Sequence, residues 1–85
     1  MRAVRIHPEA FEQLAFWIKT DLKTVKKIIE LIEDVQKSPF SGLGKPEPLK
    51  YELKGFWSRR INEEHRLVYK VTDTEIIIAS CRYHY

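Results

Sequence analysis

The sequence is poor in the residues that several classes of protein depend on. Its 85 residues include one cysteine, Cys81, and three scattered histidines, so an internal disulfide is excluded and the ligand spacing of a metal site is missing. No apolar run approaches the roughly 20 residues of a membrane span. Residues 1–8 contain no apolar stretch of the secretory type. We therefore expect a soluble, cytoplasmic protein without a metal or cofactor.

The length and the charge distribution narrow the class of protein further. A chain of 85 residues can bury one small core, so we expect a single domain over residues 1–85. The net charge of +3 comes from residues 45–60, which hold five basic and two acidic residues. Aromatic rings lie between these charges, a composition typical of nucleic-acid surfaces. A solvated strand face protected by lysines is the simpler alternative.

Hydrophobic periodicity predicts two helices after a short first strand. Val4 and Ile6 alternate with charged residues, which indicates a strand near the start of the chain. Apolar residues at helical spacing then predict one helix over residues 8–19 and a second from Asp21 to Ser38. Because the connection between them is very short, the two helices are expected to pack antiparallel.

The second half of the chain changes to a period of two. This pattern predicts four strands near residues 49–53, 56–62, 65–71 and 75–83. The order βααββββ predicts an α+β fold, in which two antiparallel helices pack on one face of a small, mainly antiparallel sheet and leave the other face free. The last strand is apolar on both faces, so we expect it to be central.

One acidic residue stands out in the loop between the two halves. Residues 39–48 carry three of the four prolines and two of the three glycines. Glu47 lies between Pro46 and Pro48, and the second proline favours an extended conformation for the glutamate. A carboxylate on a stiff segment beside a basic strand indicates a catalytic or ligand-binding role. A salt bridge from Glu47 to a neighbouring lysine is the simpler interpretation.

Four motifs carry a resemblance to a known family. They are Lys-Pro-Glu-Pro-Leu-Lys at residues 45–50, Gly-Phe-Trp-Ser-Arg-Arg-Ile at 55–61, Glu-His-Arg-Leu-Val-Tyr at 64–69 and Cys-Arg-Tyr-His-Tyr at 81–85. In this order and over almost the whole chain they resemble the YoeB/Txe toxins of the RelE/ParE superfamily. The resemblance implies a toxin of a type II toxin–antitoxin system that cleaves messenger RNA on the ribosome.

The resemblance also implies a site and partners. By similarity the catalytic residues are Glu47, Arg66, His84 and Tyr85. The implied partners are a cognate antitoxin, the ribosome and messenger RNA, and the resemblance is compatible with a homodimer. Three cationic side chains of the basic segment are expected to bind RNA phosphates: Lys50, Arg59 and Arg60.

The chemistry of RNA cleavage suits these residue types. RNA carries its own nucleophile, the 2′-hydroxyl, so an enzyme needs a proton acceptor, a phosphate stabiliser and a proton donor. Glu47 is the expected base, Arg66 the stabiliser and His84 the acid. The roles of Glu47 and His84 stay open to exchange, and Tyr85 is expected to position the phosphate or stack on a base. His65 is expected to be structural.

Two other functions agree with the same sequence. Related toxins of this superfamily inhibit DNA gyrase without cutting RNA, and a basic sheet face alone would suit a nucleic-acid-binding module. Taken singly, Arg66 would be a strand residue paired with a glutamate, and His84 a frayed terminal residue. Cleavage of messenger RNA on translating ribosomes separates the enzyme from both alternatives.

Overall fold

The computed structural model describes residues 1–83 and has the predicted element order βααββββ, with a short 3₁₀ helix after the second strand. His84 and Tyr85 lie outside the described residues. The elements are β1 (Ala3–Ile6), α1 (Pro8–Thr20), α2 (Leu22–Lys37), β2 (Glu47–Pro48), the 3₁₀ helix (Tyr51–Leu53), β3 (Phe56–Arg60), β4 (Arg66–Val71) and β5 (Glu75–Ser80).

The two helices are separated by one residue, Asp21. Its carboxylate accepts hydrogen bonds from the backbone amides of Lys23 and Thr24, over 3.1 and 3.4 Å, and from the Thr24 hydroxyl, over 2.9 Å. This N-cap starts α2 directly after α1 and confirms the predicted short connection. Within residues 1–83, neither helix is long and apolar enough to cross a membrane.

The five strands form one sheet in the order β1-β5-β4-β3-β2. β1 pairs parallel with β5, and the other neighbours pair antiparallel. The predicted fold class is therefore confirmed. β5 is an internal strand, as its apolar residues predict. Because β1 adds to the outer side of β5, the middle strand of the five is β4.

The predicted strand over residues 49–53 is wrong. The pairing with β3 is made by Glu47 and Pro48, and it ends with a hydrogen bond of 2.9 Å from the Leu49 amide to the Phe56 carbonyl. Tyr51 has a φ of +58°, so the chain turns out of the extended conformation there. The apolar alternation that predicted the strand instead belongs to a 3₁₀ turn.

The core lies between the helices and one face of the sheet. It is built from Ala10 and Trp17 of α1, from Ile28, Leu31 and Val35 of α2, and from Leu67, Tyr69, Ile76 and Ile78 of the sheet. Because side chains alternate along a strand, the residues between these sheet positions point to the opposite face. That face carries no helix, as the sequence predicts, and it holds the candidate site.

Candidate active site

Three predicted site residues lie on the helix-free face of the sheet. Glu47 pairs with Ser58, and Arg60 pairs with Arg66 across β3 and β4. Directly opposed residues point to the same face, as do residues two apart on one strand. Glu47, Arg60 and Arg66 therefore face the same side of three neighbouring strands, although up to 19 positions separate them in the sequence.

The floor between Glu47 and Arg66 is formed by small or apolar side chains. Ser58 is 2% exposed and Val68 is 4% exposed, and the two residues pair across β3 and β4. Counting two strand spacings across the sheet and two residues along β4, the Cα atoms of Glu47 and Arg66 are about 12 Å apart.

The turn before β4 holds the Arg66 guanidinium. Its Nη1 donates to the carbonyls of Asn62, His65 and Glu63, over 2.7, 3.1 and 3.3 Å. The side chain of Asn62 fixes the same turn by accepting the amides of Glu64 and His65, over 2.9 and 2.8 Å. The cation is thus placed at the beginning of β4 by backbone groups and is half-buried. Its charge is not neutralised by these uncharged carbonyls.

Glu47 lies at the edge of an open groove. The groove has a volume of about 320 Å³ and is lined by residues 47–51 and Leu53. The side chains of Glu47 and Lys50 are exposed, and the ring of Tyr51 is 91% exposed. A carboxylate, an ammonium group and an aromatic ring are therefore accessible within one short segment. Such a groove suits a nucleotide chain, since it offers a proton acceptor, a phosphate-binding cation and a stacking surface.

Arg59 does not lie on this face. Its side chain is fully buried, and its three nitrogens donate five hydrogen bonds inside the protein. The expected role of Arg59 in binding RNA phosphate is therefore corrected: the guanidinium is enclosed and already paired. The partners are the Tyr69 hydroxyl at 3.1 Å, the Asp34 carboxylate at 2.5 Å and the carbonyls of Leu43, Ser38 and Ser41 at 3.1, 2.6 and 2.8 Å.

The Arg59 guanidinium instead organises the loop that leads to Glu47. Asp34, its ion-pair partner, also accepts the Leu43 amide over 2.9 Å. The hydrogen bond from the Leu43 amide lowers the pKa of the Asp34 carboxyl below its usual value, and the hydrogen bond from Arg59 makes the second-largest contribution in the same direction. The loop continues to Gly44, whose carbonyl accepts the Arg60 amide over 2.6 Å. The approach to Glu47 is consequently fixed by a buried ion pair and by β3.

The end of the described chain lies beside Arg66. The Arg66 amide donates to the Tyr83 carbonyl over 3.1 Å, so the last described residue lies against the beginning of β4. The predicted catalytic roles of His84 and Tyr85 fall outside the described residues and stay predictions. The cationic side chain of Arg82 stacks on the Phe16 ring, 3.6 Å from its centroid.

Cys81 is a buried core residue. It is 2% exposed, and burial raises the pKa of its thiol to about 11. The Trp17 indole donates to the Cys81 carbonyl over 2.9 Å, which ties the end of β5 to α1. A thiol in this environment stays protonated and unreactive near neutral pH. Among residues 1–83, no three or more His, Cys, Asp or Glu side chains group to hold a metal ion.

One further cation on the open face was missed by the sequence reasoning. Lys70 lies on β4 four residues after Arg66, and its exposed side chain points to the same face. Its Nζ is 5.6 Å from the centre of the Phe56 ring on the paired strand. The alternating positions of Arg66 and Lys70 along the predicted strand were the signal that could have identified it. The positive charge of the face therefore extends along β4.

The fold places the chain in a known class of proteins. A YoeB/ParE toxin from Agrobacterium tumefaciens superposes with a TM-score of 0.95 at 42% identity, covering 98% of this chain and 99% of that one. The toxin in a Staphylococcus aureus YoeB-YefM toxin-antitoxin complex superposes with a TM-score of 0.91 at 49% identity, covering 100% and 99%. The Escherichia coli protein YafQ shares the fold at 19% identity, with a TM-score of 0.77. The structure is that of a RelE/ParE-superfamily toxin.

The sequence then gives the family. Toxin YoeB of Escherichia coli K12 is 61% identical over 77 residues, which are 91% of this chain and 92% of that protein. Toxin RelK of Mycobacterium tuberculosis is 53% identical over 85 residues, the full length of both. The profile described as YoeB-like toxin of bacterial type II toxin-antitoxin system matches residues 6–85. The chain belongs to this family and is a toxin of a type II toxin–antitoxin system.

Proposed function

We propose that this toxin is a ribosome-dependent endoribonuclease that cleaves messenger RNA. The observation that carries the proposal is the arrangement of Glu47, Arg60 and Arg66 on one open face of the sheet, with Tyr83 bonded to the Arg66 amide. An acid and two cations around a shallow floor suit a phosphodiester that enters from solvent. Membership of the YoeB-like family supports the same activity.

The proposed reaction uses the 2′-hydroxyl of the RNA as nucleophile. Glu47 accepts the hydroxyl proton as the oxygen attacks the adjacent phosphorus, and Arg66 stabilises the negative charge that develops there. The bond to the 5′-oxygen breaks, and His84 donates a proton to this leaving group. The products are a 2′,3′-cyclic phosphate, which hydrolyses to a 3′-phosphate, and a 5′-hydroxyl. These side chains supply every proton transfer, so the reaction requires no divalent ion.

Binding of the RNA backbone is assigned to the exposed cations. Arg60 faces the floor beside Arg66, and Lys50 lies in the groove beside Glu47. Tyr85 completes the proposed catalytic group by positioning the phosphate or stacking on a base. Arg59 is left out of the RNA-binding set, because its guanidinium is buried in the loop scaffold.

The proposed partners follow from this site and from the relatives. The Staphylococcus aureus relative forms a complex with the antitoxin YefM, and a YoeB dimer from the same species is also known. We infer that a cognate antitoxin binds this toxin and blocks the open face. Self-association is compatible with the dimer of the relative. The ribosome would present the messenger RNA, so we expect the protein to act in the cytoplasm.

The test is cleavage of messenger RNA on purified translating ribosomes, with the ends of the fragments mapped. The wild-type toxin is first treated with EDTA to remove bound metal and is then added to the ribosomes in nuclease-free buffer at a constant magnesium concentration. It is expected to produce fragments with 5′-hydroxyl ends. Arg66→Ala and Glu47→Ala are each expected to reduce the cleavage rate by at least about 10²-fold, the scale of one charge-stabilising or proton-transfer group. Intact messenger RNA after incubation with the wild-type protein would overturn the proposal and favour binding without cleavage.

A further inference from the structure

Two hydrogen bonds attach the last described residue to the beginning of β4. The Tyr83 amide donates to Nδ1 of the His65 side chain over 2.7 Å. The Arg66 amide donates to the Tyr83 carbonyl over 3.1 Å. Consecutive residues of one segment therefore bind both backbone groups of Tyr83. We refer to these two bonds as the terminal clamp.

The fold gives the His65 ring a defined position. The residue is 9% exposed, and its ring packs edge-to-face against Trp17, with the ring centres 4.8 Å apart and an interplanar angle of 78°. Its backbone amide donates to Oδ1 of Asn62 over 2.8 Å, which fixes the turn from the other side. The buried ring is thereby held with Nδ1 toward Tyr83.

The bond to Tyr83 also determines the state of the ring. Because an amide N–H is the donor, Nδ1 must present a lone pair, and the neutral imidazole carries its proton on Nε2. Tyr83 has a φ of +67°, in the left-handed region that residues other than glycine seldom occupy. Such a conformation persists where surrounding contacts hold it. The terminal clamp provides two of these contacts.

We propose that His65 is a positioning residue for RNA cleavage. By holding Tyr83, whose carbonyl accepts the Arg66 amide, it fixes the residue that directly precedes His84 in the sequence. The inference rests on the proposed function, in which His84 donates the proton to the leaving group. His65 itself is buried in the core and does not contact the RNA. Its contribution is to the alignment of the acid, where a displacement of about 1 Å can cost about 10²-fold in rate.

The test compares two substitutions of His65 that differ in one acceptor atom. His65→Asn keeps an acceptor oxygen one bond from Cγ, where Nδ1 lies, whereas His65→Leu fills similar space without an acceptor. In single-turnover cleavage at saturating ribosome concentration, the leucine variant is expected to be about 10²-fold slower, with unchanged ribosome affinity. The asparagine variant is expected to recover most of the rate. Ile76→Val, a core change distant from the clamp, serves as the control for lost stability and should cleave normally.

A spectroscopic measurement tests the clamp without relying on activity. In the wild-type protein, NMR is expected to show the His65 proton on Nε2 and slow hydrogen exchange of the Tyr83 amide. Exchange should stay slow in the asparagine variant and become fast in the leucine variant. A proton on Nδ1 in the wild-type protein would overturn the clamp, whether or not either variant folds.

The outcomes separate this inference from the proposed function. Failure of the wild-type protein to cleave messenger RNA overturns the function itself. If the wild-type protein cleaves, a folded leucine variant with the wild-type rate overturns only the positioning role. Equal rate losses in the asparagine and leucine variants would do the same, since they would show that the acceptor atom is irrelevant.

Discussion

Replacing Arg59 by methionine removes the donors of the loop scaffold while keeping a long side chain in the same space. Three loop carbonyls, the Tyr69 hydroxyl and the Asp34 carboxylate would each lose a hydrogen bond. Breaking a buried ion pair costs about 3–5 kcal/mol, and the lower end applies because the Asp34 side chain is 24% exposed. For a domain of this size, a loss of about 3 kcal/mol lowers the melting temperature by about 12–24 °C.

Arg60→Met is the matched control, because the neighbouring arginine is exposed on the opposite face. Urea unfolding followed by circular dichroism should show a change within about 0.5 kcal/mol for this variant. The RNA-cleavage activities of the two variants should not follow their stabilities. Arg60→Met should be stable but less active, because it removes a proposed phosphate contact. If Arg59→Met and Arg60→Met lose equal stability, the assignment of Arg59 to the loop scaffold is refuted.

Three further predictions concern the same loop and the core. The lowered pKa of Asp34 means that its stabilisation is present above the unfolded-state value near 3.9 and is lost as the pH falls through the lower folded-state value; Asp34→Asn should therefore flatten the acid limb of the stability curve measured by urea unfolding. Cys81 should react with iodoacetamide at pH 8 only as fast as the protein unfolds, because its thiol is buried and its pKa is raised to about 11; rapid modification of the native protein would contradict this. Gly42→Ala should cost more stability than Gly55→Ala. Both glycines have positive φ, but only at Gly42 would the added Cβ collide with the Asp34 carboxylate.

The periodic parts of the fold could be predicted from the sequence, and the irregular parts could not. Both helices follow from their apolar spacing, and the pairing of β3, β4 and β5 from alternation and short turns. The strand predicted at residues 49–53 failed because Tyr51 adopts a left-handed conformation that its neighbours in the sequence do not reveal. In such cases the contacts of the folded chain, and not local propensity, decide the conformation.

The candidate site was predictable to a similar extent. The face shared by Glu47, Arg60 and Arg66 depends on strand register, which alternation implies but does not fix. Adjacent residues of a strand point to opposite faces, so Arg59 and Arg60 could not both lie on the open face. Which of them is buried was settled by an ion-pair partner 25 residues earlier, Asp34, and a single sequence does not disclose that pairing.

The site combines three segments that are anchored independently to one sheet. The loop carrying Glu47 is held by the ion pair of the buried Arg59, Arg66 is held by the turn at Asn62, and Tyr83 is held by the ring of His65. The anchors of the loop and of Tyr83 use side chains that are themselves buried, Arg59 and His65. The proposed reactive groups can therefore be held in place on an accessible surface without a deep pocket, because the buried side chains beneath them supply the rigidity that the proposed catalysis needs.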